Sequence, residues 1–109
     1  MSKLTKIQKD IKKGKESDLL KMLSDKDHGI RLAVIDGLGE IGRDDSSNAL
    51  ISLINNEDWE IRAHSAKSLG NIGNDHTATH LRHRLEQETD ERVIKELKDA
   101  LSNIKNYQK

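Results

Sequence analysis

The chain has 109 residues, of which 35% are charged and 2% aromatic, and its 19 basic side chains balance its 19 acidic ones. Neutrality argues against nucleic-acid binding driven by overall charge, and the absence of cysteine excludes disulfides, thiolate metal sites and cysteine nucleophiles. The first fifteen residues contain no apolar run, so the sequence predicts neither a signal peptide nor a membrane span. We therefore expect one cytoplasmic domain without a membrane segment.

The first fifteen residues predict a basic amphipathic helix. Leu4, Ile7 and Ile11 fall on one helical face, and lysines surround the rest. Such a helix can bind an anionic surface. Because three aliphatic side chains make a weak membrane anchor, we favour a capping helix over residues 1–15 that covers a repeat domain at residues 16–109.

A repeated segment dominates the remainder of the chain. Asp27 to Gly42 returns 31 residues later as Asp58 to Gly73, and a weaker copy runs from Asp90 to Ile104. Seven of sixteen positions in the first two copies are identical: Asp27/Asp58, Ile30/Ile61, Arg31/Arg62, Leu38/Leu69, Gly39/Gly70, Ile41/Ile72 and Gly42/Gly73. Self-similarity at this period predicts a solenoid, in which each unit buries its apolar face against its neighbours.

Each copy has the pattern of a helix with marked ends. Asp27 precedes the first apolar residue by three positions, which is typical of an N-cap, and Gly42 follows the last one, which is typical of a C-cap. Gly39 lies inside the helix, where glycine costs about 1 kcal/mol relative to alanine. Because the second copy repeats all three features, we expect another backbone to pass close to the internal glycine.

A shorter amphipathic segment precedes each copy, so the sequence predicts three helical hairpins, at about 16–42, 46–73 and 75–106. With the leading helix, this makes seven helices. The candidate N-caps for the first helices of the second and third hairpins are Ser46 or Ser47 and Asn74 or Asp75.

The Asp-x-x-Ile-Arg opening and the Leu-Gly-x-Ile-Gly close of the repeated segment resemble HEAT repeats, specifically the short HEAT-like type also found in phycobilin lyase subunits. The resemblance implies an all-α fold, an α-solenoid of about three hairpins in a right-handed array whose second helices line the concave side. It implies that Arg31 and Arg62 pair with acidic residues near the repeat starts. It also implies a binding scaffold and brings no catalytic residue, so we expect neither enzymatic activity nor a cofactor. The third copy departs from the pattern, with Ile94 and Ser102 in place of the arginine and the internal glycine.

Aligned second helices give columns of residues across the expected concave face. Asp36, Lys67 and Asp99 form a column of alternating charge, which either fixes the register or presents a polar binding strip. Trp59, at the start of the second copy, either anchors a partner or packs over the adjacent repeat. The candidate partner-binding residues are Leu32, Ile35, Asp36, Trp59, Ala63, Lys67, Lys95 and Lys98.

Histidines form a weak candidate metal site. His76, His80 and His83 follow the i, i+4, i+7 spacing on one side of a helix, where imidazoles can share zinc or nickel. Because no cysteine and no nearby carboxylate other than Asp75 could complete the set, we do not expect a physiological metal centre. His64 borders the apolar face of its helix, so we expect it to be hydrogen-bonded within the structure.

These observations predict a non-enzymatic scaffold or adaptor that binds another protein through its concave helical face. With few repeats, self-association by stacking into a homo-oligomer is a further expectation. Two alternatives stay open: an accessory subunit of a lyase-type or cofactor-handling complex, and nucleic-acid binding through the lysine-rich first helix, which we consider unlikely for a neutral chain.

Overall fold

The computed structural model describes residues 2–107, and the side chains of residues 2–104. This part of the chain contains seven α-helices and no strand, which confirms the predicted all-α fold of a leading helix followed by three hairpins. The helices are α1 Lys3–Lys13, α2 Glu16–Lys21, α3 His28–Ile41, α4 Asp44–Leu53, α5 Trp59–Ile72, α6 Asp75–Gln87 and α7 Glu91–Tyr107, and a 3₁₀ turn at Met22–Ser24 extends α2.

The predicted ends of α3 and α5 are confirmed. The Asp27 carboxylate accepts the amide N–H of Ile30 at 3.1 Å, and that of Asp58 accepts the amide N–H of Glu60 at 2.8 Å. Gly42 and Gly73 end the two helices with φ angles of 66° and 67°, a conformation that side chains disfavour.

The N-cap prediction for α4 is wrong, whereas that for α6 is confirmed at Asn74. Helix α4 begins at Asp44, and Ser46 lies buried within its first turn, where its hydroxyl and amide donate to the Glu16 carboxylate of the preceding hairpin at 2.5 and 3.0 Å. A carboxylate from another helix thus satisfies the start of α4. Asn74 caps α6 in a reciprocal capping box with Thr77.

The second helices of the hairpins, α3, α5 and α7, pack side by side, and α2, α4 and α6 pack against them. The core between the helices is aliphatic, because the chain contains no phenylalanine. Its fully buried leucines are Leu19, Leu38, Leu50, Leu69, Leu81 and Leu97.

The internal glycines lie where neighbouring helices touch, as predicted. A Cβ atom on Gly39 would lie 2.6 Å from the Cβ of Ser68, and one on Gly70 would lie 2.7 Å from the Cβ of Ala100. These positions bring α3 against α5 and α5 against α7. Glycine therefore sets the spacing between successive repeats.

Helix α1 packs on α3 through Ile7, which is buried, and Ile11, which lies against Gly37. Leu4 does not join them: it is 51% exposed, although it shares their helical face in sequence. Two of the α1 lysines are paired, Lys3 with Asp25 and Lys6 with Asp10, each at 2.8 Å. None of the described helices is both long and apolar enough to cross a bilayer.

Candidate binding groove

Helices α5 and α7 leave between them a groove of about 450 Å³. Positions 59, 60, 63, 64 and 67 of α5 form one helical face, and positions 92, 95 and 96 of α7 face them across the groove. The lining residues are Trp59, Glu60, Ala63, His64, Lys67, Arg92, Lys95 and Glu96. The repeat stacking itself thus creates a concave site of the size that small ligands and single anchor side chains occupy.

An aromatic side chain and a cation form one end of this groove. The guanidinium carbon of Arg92 lies 3.5 Å from the centroid of the half-buried Trp59 ring. Asp90 holds Arg92 through two hydrogen bonds, from Nη2 at 2.8 Å and from Nε at 3.1 Å. These bonds are the foremost reason that the pKa of Asp90 falls to about 2. Trp59 thus packs against the adjacent repeat, one of its two predicted roles, and stays partly exposed in the groove.

Lys67 lies between Asp36 and Asp99 as predicted, and it lines a separate small cleft with each of them. Among residues 2–104, however, neither carboxylate pairs with Lys67, and each has another partner. Asp36 is bonded to Nδ1 of His64 at 2.9 Å, as expected for that histidine, and Asp99 accepts a hydrogen bond from Lys95 at 2.9 Å. Within residues 2–104, the exposed ammonium group of Lys67 has no hydrogen-bond or ion-pair partner.

The groove contains half of the predicted partner-binding residues: Trp59, Ala63, Lys67 and Lys95. Ile35 is a wrong prediction, because its side chain is 1% exposed and belongs to the core. Leu32 is half-buried on α3, Asp36 is bonded to His64, and Lys98 is exposed on α7, and none of the three lines the groove.

Four lining residues were not predicted from the sequence: Glu60, His64, Arg92 and Glu96. Glu60 and Arg92 share one repeat position, and His64 and Glu96 share another, each directly beside a position that the sequence did select. A groove between two helices is lined by two neighbouring rows of residues on each helix. Including the repeat position that follows each selected one would therefore have identified all four residues.

The three histidines of α6 do not come together as a metal site. The rings of His76 and His80 meet edge to face, with centroids 4.9 Å apart. Among residues 2–104, His76, His80 and His83 have no arrangement with three ligand atoms within 4.8 Å of one another.

One group in the described part of the chain meets that distance: His28, Asp58 and Glu60. Asp58 bonds to Nε2 of His28 at 2.9 Å while its other oxygen caps α5. Burial would raise the pKa of Asp58, but the amides of Glu60 and Ile61 and the adjacent histidine outweigh it and lower the pKa. The positive end of the α5 dipole also favours this carboxylate, and its hydrogen bond with His28 links α3 to α5.

Comparison with known protein families matches residues 16–102 to HEAT repeats. No curated protein matches the chain in sequence.

Proposed function

We propose that this chain, which belongs to the HEAT-repeat family, is a non-enzymatic scaffold that binds another protein through the groove between α5 and α7. HEAT repeats are commonly protein-interaction scaffolds. The observation that carries the proposal is that one groove holds both the half-buried Trp59, which packs against Arg92, and Lys67, which has no ion-pair partner within residues 2–104. Aromatic anchors that are fixed before binding supply apolar contact area at a low entropic cost.

Binding in this groove requires shape and charge complementarity alone. Trp59 and Ala63 offer an apolar wall and floor to one apolar side chain of the partner. Within residues 2–104, Lys67 has no ion pair that must break before it meets a carboxylate, whereas Lys95 already binds Asp99. An acidic residue close to an apolar one on the partner therefore fits this surface best.

Charge reversal at Lys67 tests the proposal. Lys67→Glu and Lys98→Glu change the net charge equally at exposed lysines that have no ion pair within residues 2–104, but only the first lies in the groove. Circular dichroism should first show that both variants keep the helical content of the wild type. All three proteins then serve as baits in cells of the source organism, where crosslinking and mass spectrometry identify the proteins that they bind. A partner retained by wild type and Lys98→Glu but lost by Lys67→Glu supports the groove. Equal recovery by all three baits refutes it.

The alternatives give different results with the same protein. A lyase-type subunit, as the phycobilin lyase resemblance implies, would shift the absorbance of an added bilin. Nucleic-acid binding would be salt-dependent and would require the α1 lysines, two of which already pair with carboxylates. Light scattering across concentration tests homo-oligomer formation, and fractionation of cells tests the cytoplasmic location that we include in the proposal.

A further inference from the structure

The loops that precede α3, α5 and α7 each contain the same hydrogen bond at equivalent positions, so their residues can be compared one by one. Asp25, Asn56 and Glu88 each lie two positions before the aspartate that opens the repeated segment, and each accepts that aspartate's amide N–H. The three distances, in the same order, are 2.8, 2.9 and 3.1 Å. Glu88 is thus the counterpart of Asn56 one repeat later.

The two repeat arginines are comparable in the same way. Nη1 of Arg31 donates to the backbone carbonyl of Asp25 at 3.0 Å, and Nη1 of Arg62 donates to that of Asn56 at 2.9 Å. Arg62 then uses its remaining edge on the next repeat: Nε and Nη2 bind the two oxygens of Glu88 at 2.8 and 3.1 Å. The pairing of a repeat arginine with an acidic residue, which the family resemblance implies, therefore forms at Arg62.

Arg31 has no carboxylate of the next repeat at the position where Glu88 binds Arg62. Asn56 occupies the Glu88 position, but its side chain is shorter and neutral, and its oxygen is engaged with the amide of Asp58. Within residues 2–104, Nε and Nη2 of Arg31 have no acceptor. A cleft of about 300 Å³ remains beside Arg31, lined on its apolar side by Leu23 and Leu53.

We infer that this cleft is a binding site for a carboxylate on a short aliphatic stem. The carboxylate would bind Nε and Nη2 of Arg31 in the bidentate manner that Glu88 adopts on Arg62, and the stem would lie against Leu23 and Leu53. A small free acid and a glutamate side chain of another protein supply the same chemistry. The site is separate from the α5–α7 groove and does not depend on the function proposed for it.

Two features set the affinity of this site. Arg84, the second cation beside Glu88, has Ser52 as its counterpart, so the cleft holds a single arginine. Glu57 and Asp58 also line the cleft, and their negative charges oppose an anion. Asp58 is engaged by His28 and by the cap of α5, whereas Glu57 is exposed. We therefore expect a dissociation constant of about 1 mM or weaker for a free acid.

The test uses NMR of the Arg31 side chain with sodium butyrate as the probe and butyramide as its neutral control. Butyrate should shift the Nε–H resonance of Arg31 in a saturable manner, and butyramide should not. The blocked peptide Ac-Ala-Glu-Ala-NH₂ and its glutamine analogue distinguish the two sources of the ligand. Tighter binding of the glutamate peptide indicates a protein side chain, and tighter binding of butyrate indicates a free acid.

Asn56→Glu provides the decisive variant. Because Glu88 both accepts the amide of Asp90 and binds Arg62, a glutamate at position 56 should fill the site from within and weaken butyrate binding at least tenfold. It should also raise the melting temperature, so the loss cannot be ascribed to unfolding. Asn56→Gln, which has the same length without the charge, should not raise it. No butyrate response at Arg31 in the wild type, or an equal response in Asn56→Glu, would overturn the inference.

Discussion

Gly70 of α5 faces Ala100 of α7 so closely that a Cβ atom on Gly70 would lie 2.7 Å from the Cβ and 2.8 Å from the Cα of Ala100. Gly70→Ala should therefore destabilise the protein, although alanine is the better helix former by about 1 kcal/mol. Because the clash involves backbone, α5 and α7 would have to separate, and we expect a net loss of about 2 kcal/mol in the free energy of unfolding. Urea denaturation measures this loss.

Asn71→Ala is the matched control, because it introduces the same residue one position later on an exposed side of α5. Its free energy of unfolding should stay within about 0.5 kcal/mol of the wild type. If Gly70→Ala proved as stable as this control, the two helices would not be held at the spacing that glycine permits.

Glu88 should contribute strongly to stability, because its carboxylate is 1% exposed and is bound by both Arg62 and Arg84. Glu88→Gln would leave two guanidinium groups without their anion, and we expect a loss of about 3 kcal/mol. Glu57→Gln removes an exposed carboxylate that has no ion pair among the described residues and should have little effect. Equal denaturation midpoints for the two variants would show that the Arg62–Glu88 pair is not stabilising.

The same carboxylate should make stability depend on acid pH. Burial would raise the pKa of Glu88, but the hydrogen bonds from Arg62 and the Asp90 amide, with the charges of Arg62 and Arg84, place it below its ordinary value of 4.5. A group whose folded pKa is depressed contributes stability above its unfolded pKa and loses it as the pH falls through the folded pKa. Melting temperatures should therefore decline below about pH 4.5, and more steeply in the wild type than in Glu88→Gln. Parallel declines would contradict this assignment.

The helix caps and the close helix contacts could be predicted from the sequence, because the residues that form them recur in the repeat. Asp27, Gly39 and Gly42 recur at a fixed period, and each performs the role that its residue type and position indicate. The N-cap of α4 was mispredicted because the first turn of this helix is satisfied by Glu16, from the preceding hairpin, and no local pattern reveals a partner that distant in sequence.

The candidate groove was only half predictable for a similar reason. Helical periodicity places a residue on a face, but it does not fix which of two adjacent faces meets the neighbouring helix. Ile35 was therefore assigned to the surface although it is buried, and Arg92 was overlooked although it lies over Trp59. The partners of charged side chains were still harder to predict. Lys67 lies between the two predicted carboxylates, but His64 binds Asp36 and Lys95 binds Asp99.

Ser65 occupies a core position of α5 that is Val34 in the first copy and Leu97 in the third. Its side chain is fully buried, and its hydroxyl is the buried side-chain polar atom that has no hydrogen-bond partner in the described part of the chain. Burying an unsatisfied hydroxyl costs about 1 kcal/mol or more. Ser65→Ala should therefore raise the free energy of unfolding by about 1 kcal/mol, as measured by urea denaturation.

Ser68 supplies the control, because it is a second buried serine on the same helix whose hydroxyl does have a partner. Its Oγ donates to the backbone carbonyl of Ile35 at 3.0 Å, and Ser68→Ala would leave that carbonyl without this donor. The same substitution should therefore lower the free energy of unfolding by about 1 kcal/mol at Ser68 and raise it at Ser65. Because cavity formation affects both variants alike, the difference between them isolates the hydrogen bond. A loss of stability at both positions would mean that the Ser65 hydroxyl is bonded in solution.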